Sequence, residues 1–158
     1  MKFEKWKPYI LWILITVSIG ALSGWLTREG TKIFQQTVTQ PPLSPPAFLF
    51  PVIWGILYVL MGISAARVYR KQPSKVRSRG LNLYIAQLIV NFFWSLIFFN
   101  AQAYGFAFLW LLLLWILVLA MILTFRKLDS LAALLQIPYL IWLTFAAYLN
   151  WGIWKLNG

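Results

Sequence analysis

The chain has 158 residues and a net charge of +11, yet only 11% of it is charged, 61% is hydrophobic and 18% is aromatic, a composition outside the soluble globular range. It has no His and no Cys, and its only acids are Glu4, Glu29 and Asp129. Zinc, iron–sulfur and histidine-ligated haem sites are thereby excluded, as are Cys and Ser-His-Asp nucleophile systems. Proton-coupled pumps and small multidrug antiporters usually need an intramembrane carboxylate, and no acid here falls inside an apolar run.

The first charge-free run lies between Lys7 and Arg28 and predicts a membrane span over 8–26. Lys2, Lys5 and Lys7 before it and Ala21-Leu22-Ser23 within it also fit a cleaved signal peptide, which would leave four spans, although the run is long for that. Gly20 and Gly24 form a GxxxG pair, expected to pack within the monomer rather than between monomers. The connection from Arg28 to Pro46 is longer than most helix connections and is a candidate lid.

Pro41-Pro42-Leu43-Ser44-Pro45-Pro46 stops a helix from running in out of that loop while allowing one to begin, so a second span is predicted over 46–68. Pro51, Trp54 and Tyr58 share one of its faces, and Gly62 and Ala66 make a second small-residue pair. No charged residue occurs between Arg79 and Arg126. At about 1.5 Å per residue that stretch is about 70 Å of helix, over twice the hydrocarbon core, so it must fold back. The only polar cluster near its middle is Asn100 to Gly105, which divides it into spans over 81–99 and 104–125.

On the first of these, Gln87, Asn91 and Ser95 recur every four residues with Trp94 and Phe98 beside them. Intramembrane amides face the bundle interior, either as glue between helices or as the lining of a ligand cavity. The last span is predicted over 130–154. Pro138, Trp142, Ala146 and Asn150 fall on one of its faces, flanked by Phe145 and Leu149. Pro138 removes a backbone donor and is expected to bend or loosen the helix. Ala146 leaves room beside an indole, which is either helix packing or a wall of a pocket for a flat apolar ligand.

Long apolar runs without period-2 alternation favour helices over a barrel. The fold class is therefore an all-α integral membrane protein, a single domain over 1–158 built as a bundle of five transmembrane helices. The basic residues follow this topology. Eleven of the 14 Lys and Arg residues fall on the side of the N-terminus and of the loops after the second and fourth spans, leaving Arg28, Lys32 and Lys155 opposite. That asymmetry puts the N-terminus in the cytoplasm and fits a bacterial inner membrane. Contact with anionic lipid, not nucleic acid, accounts for the charge.

Three blocks carry a resemblance. They are PPAFLFPVIWGILY from Pro45 with Met61-Gly62, Asn91-Phe-Phe-Trp94-Ser95 with Phe98-Phe99, and Pro138-Tyr139-Leu-Ile-Trp142 with Phe145-Ala146 and Leu149-Asn150. In order, spacing and span number the chain resembles the translocator protein and tryptophan-rich sensory protein family, the peripheral-type benzodiazepine receptors. The resemblance implies a five-helix bundle, commonly a homodimer, that binds tetrapyrroles such as protoporphyrin IX in a cavity between helices under the first long loop. Carried over by matching position, Trp54, Asn91, Trp94, Trp142, Ala146 and Leu149 would line or border that cavity, with Phe145 beside them. Arg28 or Lys32 near the mouth would meet the propionates. Leu43 stands where the family often has a loop tryptophan, and Trp110 where it often has an acid. Tyr148 is too far from Lys155 for the family's C-terminal cholesterol motif, so sterol binding gets no support.

The implied function is binding of porphyrins and related flat hydrophobic molecules for sensing, buffering or transport. The alternatives are light-dependent porphyrin degradation, with Trp54 and Trp142 as electron donors and the only catalytic candidates, and a membrane scaffold with no small ligand. No cofactor is required, porphyrin being a ligand, and no metal site is expected.

Overall fold

A computed structural model describes residues 2–158, with side chains from Glu4 onward. The Lys2 side chain, counted above among the basic residues, lies outside the described residues. The helices are α1 (Lys2–Leu26), α2 (Arg28–Thr37), α3 (Leu49–Tyr69), α4 (Lys75–Ser95), α5 (Tyr104–Arg126) and α6 (Ser130–Asn157). A five-residue π-helical turn, Leu96–Asn100, extends α4. Among the described residues five helices, all but α2, are long and apolar enough to cross a membrane, and the chain is an all-α multi-pass membrane protein.

The helix ends follow local chemistry. α1 starts before the predicted boundary at Pro8. The carbonyl that Pro8 leaves unpaired is that of Glu4, four residues back in an exposed turn where water reaches it. α3 begins at Leu49, after the hydrogen-bonded turn that follows Pro46, so Pro51 sits in its first turn, where its missing N–H has no partner to lose. Ser74 caps α4 by accepting from the Arg77 N–H at 3.1 Å. The two central spans are joined at residues 101–103, inside the polar cluster, with Gln102 at φ 54°. α6 runs unbroken through Pro138, which is exposed on its outer face instead of sharing the interior with Ala146 and Asn150.

The spans form a ring in the order α1, α3, α6, α5, α4, with α4 returning to α1. Leu109 and Ile141 on the rim are 63% and 64% exposed, the pattern of helices whose solvent is lipid. Inside the half of the ring that holds the α3–α4 and α5–α6 connections, Met61, Ala65, Val68, Tyr84, Met121, Phe125 and Leu143 are fully buried. Asp129 closes that end. Its carboxylate accepts from the Leu131 and Ala132 N–H groups at the start of α6, takes the Arg67 Nε at 3.0 Å, and lies 3.7 Å from the Lys71 Nζ. Burial pushes the Asp129 pKa up, but the Arg67 hydrogen bond, the two backbone donors and the Arg67 charge outweigh it and hold the carboxyl below its ordinary value.

The opposite end differs from the expected lid loop, since half of it is helix α2. The chain turns at Thr27, whose hydroxyl donates to the Ser23 carbonyl at 2.8 Å, and Gly30 and Phe34 then form the buried side of an otherwise exposed amphipathic helix. Gly30 is required by close approach: a Cβ there would lie 2.5 Å from the Phe99 carbonyl oxygen. Phe34 fills the space between Phe98 and Phe99, at 5.4 Å from each. The following segment is tied to the end of α6. Thr39 donates its N–H to Asn157 Oδ1 at 3.1 Å and accepts from Asn157 Nδ2 at 2.8 Å, and the Tyr148 hydroxyl donates to the Pro42 carbonyl at 2.8 Å.

Candidate functional site

Beneath α2 the helices do not close. A cavity of about 700 Å³ lies among α1, α2, α3, the end of α4 and α6, within the size range of small-molecule sites. Its walls are rings. Trp54 lies flat against Tyr58 with centroids 5.5 Å apart, and meets Trp142 edge to face at 6.4 Å and 88°. Phe50 sets its edge against Trp142 at 5.8 Å, and Trp94 stacks on Phe98 at 5.0 Å. Ala146, one turn from Trp142, is the small residue in this wall.

The polar groups divide into used and free. The Trp94 indole N–H donates to Asn150 Oδ1 at 3.1 Å, and Asn150 Nδ2 donates to the Tyr104 carbonyl at 2.9 Å, which fixes that corner. The Trp142 indole N–H is buried and has no partner among the described residues. At the mouth, Arg28 donates to the Trp25 carbonyl at 2.7 Å with its guanidinium 4.4 Å from the Trp25 ring centroid. Lys32 stands 3.8 Å from Glu29 in an exposed pair. The arrangement offers flat aromatic faces and a cationic rim, which suits a planar, mostly apolar molecule with anionic substituents at one edge.

Of the residues singled out from sequence, the structure brings Trp54, Trp94, Trp142, Ala146, Leu149, Arg28 and Lys32 to this cavity. Asn91 is not in its lining. It is buried below, donating to the Tyr139 hydroxyl at 2.7 Å, which in turn donates to Gln87 Oε1 at 2.7 Å. The stripe of Gln87, Asn91 and Ser95 is thus split, with two members bonded in the core and only Ser95 at the cavity. Phe145 also stands outside, packed on Trp142 at 5.7 Å and Tyr148 at 6.2 Å. Leu43 is 82% exposed at φ 70° in the turn closed by the Ser44 hydroxyl on the Pro41 carbonyl, away from the cavity.

Sequence reasoning missed the α1 wall, Val17, Gly20, Ala21, Ser23, Gly24 and Thr27, and two further sets of lining residues. Thr31 and Phe34 come from α2, whose single buried stripe of Gly30 and Phe34 was the available signal. Phe99 is turned inward beside Phe98 by the π-helical turn, closed by the Ala101 N–H on the Leu96 carbonyl at 3.0 Å, and nothing in the sequence marks that extra residue.

The family model described as TspO/MBR matches residues 11–155. The chain is 34% identical over 151 residues to the tryptophan-rich protein TspO of Chlorobaculum tepidum, an alignment covering 93% of this chain and 94% of that one. It is 40% identical over 122 residues to protein CrtK of Rhodobacter capsulatus, covering 77% and 76%. It is 34% identical over 155 residues to the translocator protein of Ovis aries, covering 96% and 91%.

Proposed function

This chain belongs to the TspO/MBR family, and from that membership we propose that it binds protoporphyrin IX and related flat hydrophobic tetrapyrroles in the cavity beneath α2, to sense, buffer or move them in a membrane. The observation that carries this reading is the set of three indoles, Trp54, Trp94 and Trp142, contributed by three helices to one space of about 700 Å³. Trp54 and Trp142 meet at a right angle, so a planar ligand has one face to lie on and one edge to abut, with Ala146 leaving the room. Arg28 and Lys32 meet carboxylates at the mouth. With no His or Cys to ligate iron, metal-free porphyrin binds at least as well as haem.

In this reading the N-terminus is cytoplasmic, the membrane is a bacterial inner membrane and the working unit is a homodimer. Single cysteines introduced into the Cys-free chain test the orientation. One at Ser74 should be shielded from an impermeant thiol reagent added to intact cells and one at Thr39 should react; the reverse pattern overturns the assignment.

The test of function is porphyrin titration of the purified protein in darkness and under illumination. Stable binding in both supports a sensor or carrier, and no binding leaves a scaffold. Light-dependent loss of the porphyrin with a defined product would instead favour degradation, for which Trp54 and Trp142, 6.4 Å apart and both at the cavity, are the donors.

A further inference from the structure

The cavity wall is uneven. Toward water it is covered by α2 and by the segment that Asn157 and Tyr148 hold down. Toward lipid it is bounded by the seam between α1 and α3, and that seam changes along its length. A Cβ on Gly62 would stand 2.6 Å from the Ile13 Cα, and one on Gly20 would overlap the Tyr58 ring, so both glycines are closely packed. The antiparallel register that pairs 13 with 62 and 20 with 58 brings Gly24 level with Gly55. There a Cβ on either glycine meets no atom within 4 Å, and both residues are exposed while also lining the cavity.

We infer that the parting of α1 and α3 at Gly24 and Gly55 is a lateral doorway through which a bilayer-dissolved ligand enters and leaves the cavity, and that the two glycines set which molecules pass and how fast. Gly within a helix costs about 1 kcal/mol relative to Ala. At Gly20 and Gly62 that cost is offset by close helix packing; at Gly24 and Gly55 no neighbour uses the space, so the opening itself is what the missing side chains provide. The route also suits an amphipathic ligand, resting here on the tetrapyrrole reading above. In a bilayer its ring lies among acyl chains and its carboxylates lie at the headgroups. Arg28 and Lys32 stand at the α2 end of the same cavity, so a sideways step keeps the ring out of water and the carboxylates beside cations. Entry from water would instead carry the ring through the charged mouth at Arg28 and Lys32 or under the segment held at Thr39 and Pro42, with the apolar ring exposed to water on the way.

The experiment follows protoporphyrin fluorescence by stopped flow, in darkness, with the full chain in lipid nanodiscs. Gly24→Leu and Gly55→Leu together should slow both association and dissociation about tenfold; a loss of cavity contacts alone would instead speed dissociation. Asn157→Ala with Tyr148→Phe, which frees the cover, should leave both rates as they are. Unchanged rates in the first variant with faster exchange in the second would overturn the doorway in favour of a water route. A second readout needs no porphyrin and separates the doorway from the binding reading. With cysteine at Ser95, inside the cavity, a bilayer-partitioned N-alkylmaleimide should react faster than a charged one, and the two leucines should remove that advantage. Faster reaction with the charged reagent, or no effect of the leucines, would sink the doorway whether or not porphyrin binds.

Discussion

The two ends of the bundle are drawn from the same apolar and aromatic residues, yet one is packed solid and the other holds about 700 Å³ of space. At the Asp129 end, large side chains such as Tyr84, Phe125 and Met121 meet small partners such as Ala65 and Ala132, all fully buried. There Thr16 pairs with the Tyr84 hydroxyl and the Ser64 hydroxyl with the Ala132 carbonyl at 2.7 Å, while the Trp12 indole N–H and the Gln136 amide are buried without a partner among the described residues. At the α2 end, rings meet rings edge to face, and the small residues Gly24, Gly55 and Ala146 face the cavity. Aromatic content alone therefore does not distinguish a core from a site; what a small residue faces does.

The sharpest way to break that comparison is to enlarge two glycines of one helix. Gly62→Leu forces α3 off the Ile13 backbone and should destabilise the bundle by about 3 kcal/mol, the upper range for overpacking. Gly55→Leu meets nothing within 4 Å and gains helix propensity, so its thermal unfolding in nanodiscs should match or exceed that of the parent. Equal losses in the two variants would mean that the opening at Gly55 closes in the bilayer.

Ala146 comes next. Ala146→Phe should fill the space beside Trp142 and lower porphyrin affinity by about 100-fold, which is near 3 kcal/mol, with the unfolding transition unchanged. Trp142→Ala removes a stacking face and should weaken binding by about 1 to 3 kcal/mol, by analogy with bases stacked on aromatic side chains. Unchanged titrations in both variants would put the ligand elsewhere.

These residues show what was legible in the sequence. Charge-free runs and their polar interruptions predicted the five spans to within a few residues, because lipid imposes one rule on every backbone group. The exceptions were α1 and α4, which start at Lys2 and Lys75 and not at 8 and 81, because their charged first turns extend the helices into water. Residues on one helix face, such as Pro51, Trp54 and Tyr58, or Trp142 and Ala146, reach the cavity together because helical spacing is a local property. Whether Asn91 was glue or lining stayed open, because the same spacing cannot say which polar group finds a partner first; Tyr139, 48 positions away, takes it. α2 was hidden because a ten-residue helix has one buried stripe and many charges, and Leu43 could not be resolved because its left-handed turn turns it outward.

Asp129 tests the closed end with a smaller effect. Asp129→Ala removes the α6 cap and leaves Arg67 without its partner, a loss of about 1 to 2 kcal/mol on the scale of helix caps. Asp129→Asn keeps an acceptor for the Leu131 and Ala132 N–H groups and should recover part of it. Because the folded carboxyl sits below its ordinary value, its contribution is complete at pH values above the ordinary carboxylate range. It is lost only as the pH falls through the lowered value. Thermal unfolding of parent and Asp129→Ala should therefore differ at neutral pH and converge at strongly acidic pH, and a difference that persists in acid would assign the effect to packing.

The smallest effect is expected at the mouth of the open end, where charge and not stacking would have to hold the ligand. Arg28 already donates to the Trp25 carbonyl and covers the Trp25 ring, and Lys32 already faces Glu29 across 3.8 Å with both side chains about 70% exposed. A carboxylate arriving there competes with existing partners in a wet, screened setting, where an ion pair contributes less than about 1 kcal/mol. Arg28→Ala and Lys32→Ala should each weaken protoporphyrin binding less than about fivefold, well short of Trp142→Ala, and raising salt from low to physiological should change affinity only a few-fold. Removing Glu29 sharpens the point: Glu29→Gln frees Lys32 and takes a repelling charge from the rim, so affinity should rise slightly. A steep salt dependence, or losses at Arg28 and Lys32 equal to that at Trp142, would show that the basic rim holds the porphyrin and that the indole-walled space below it does not.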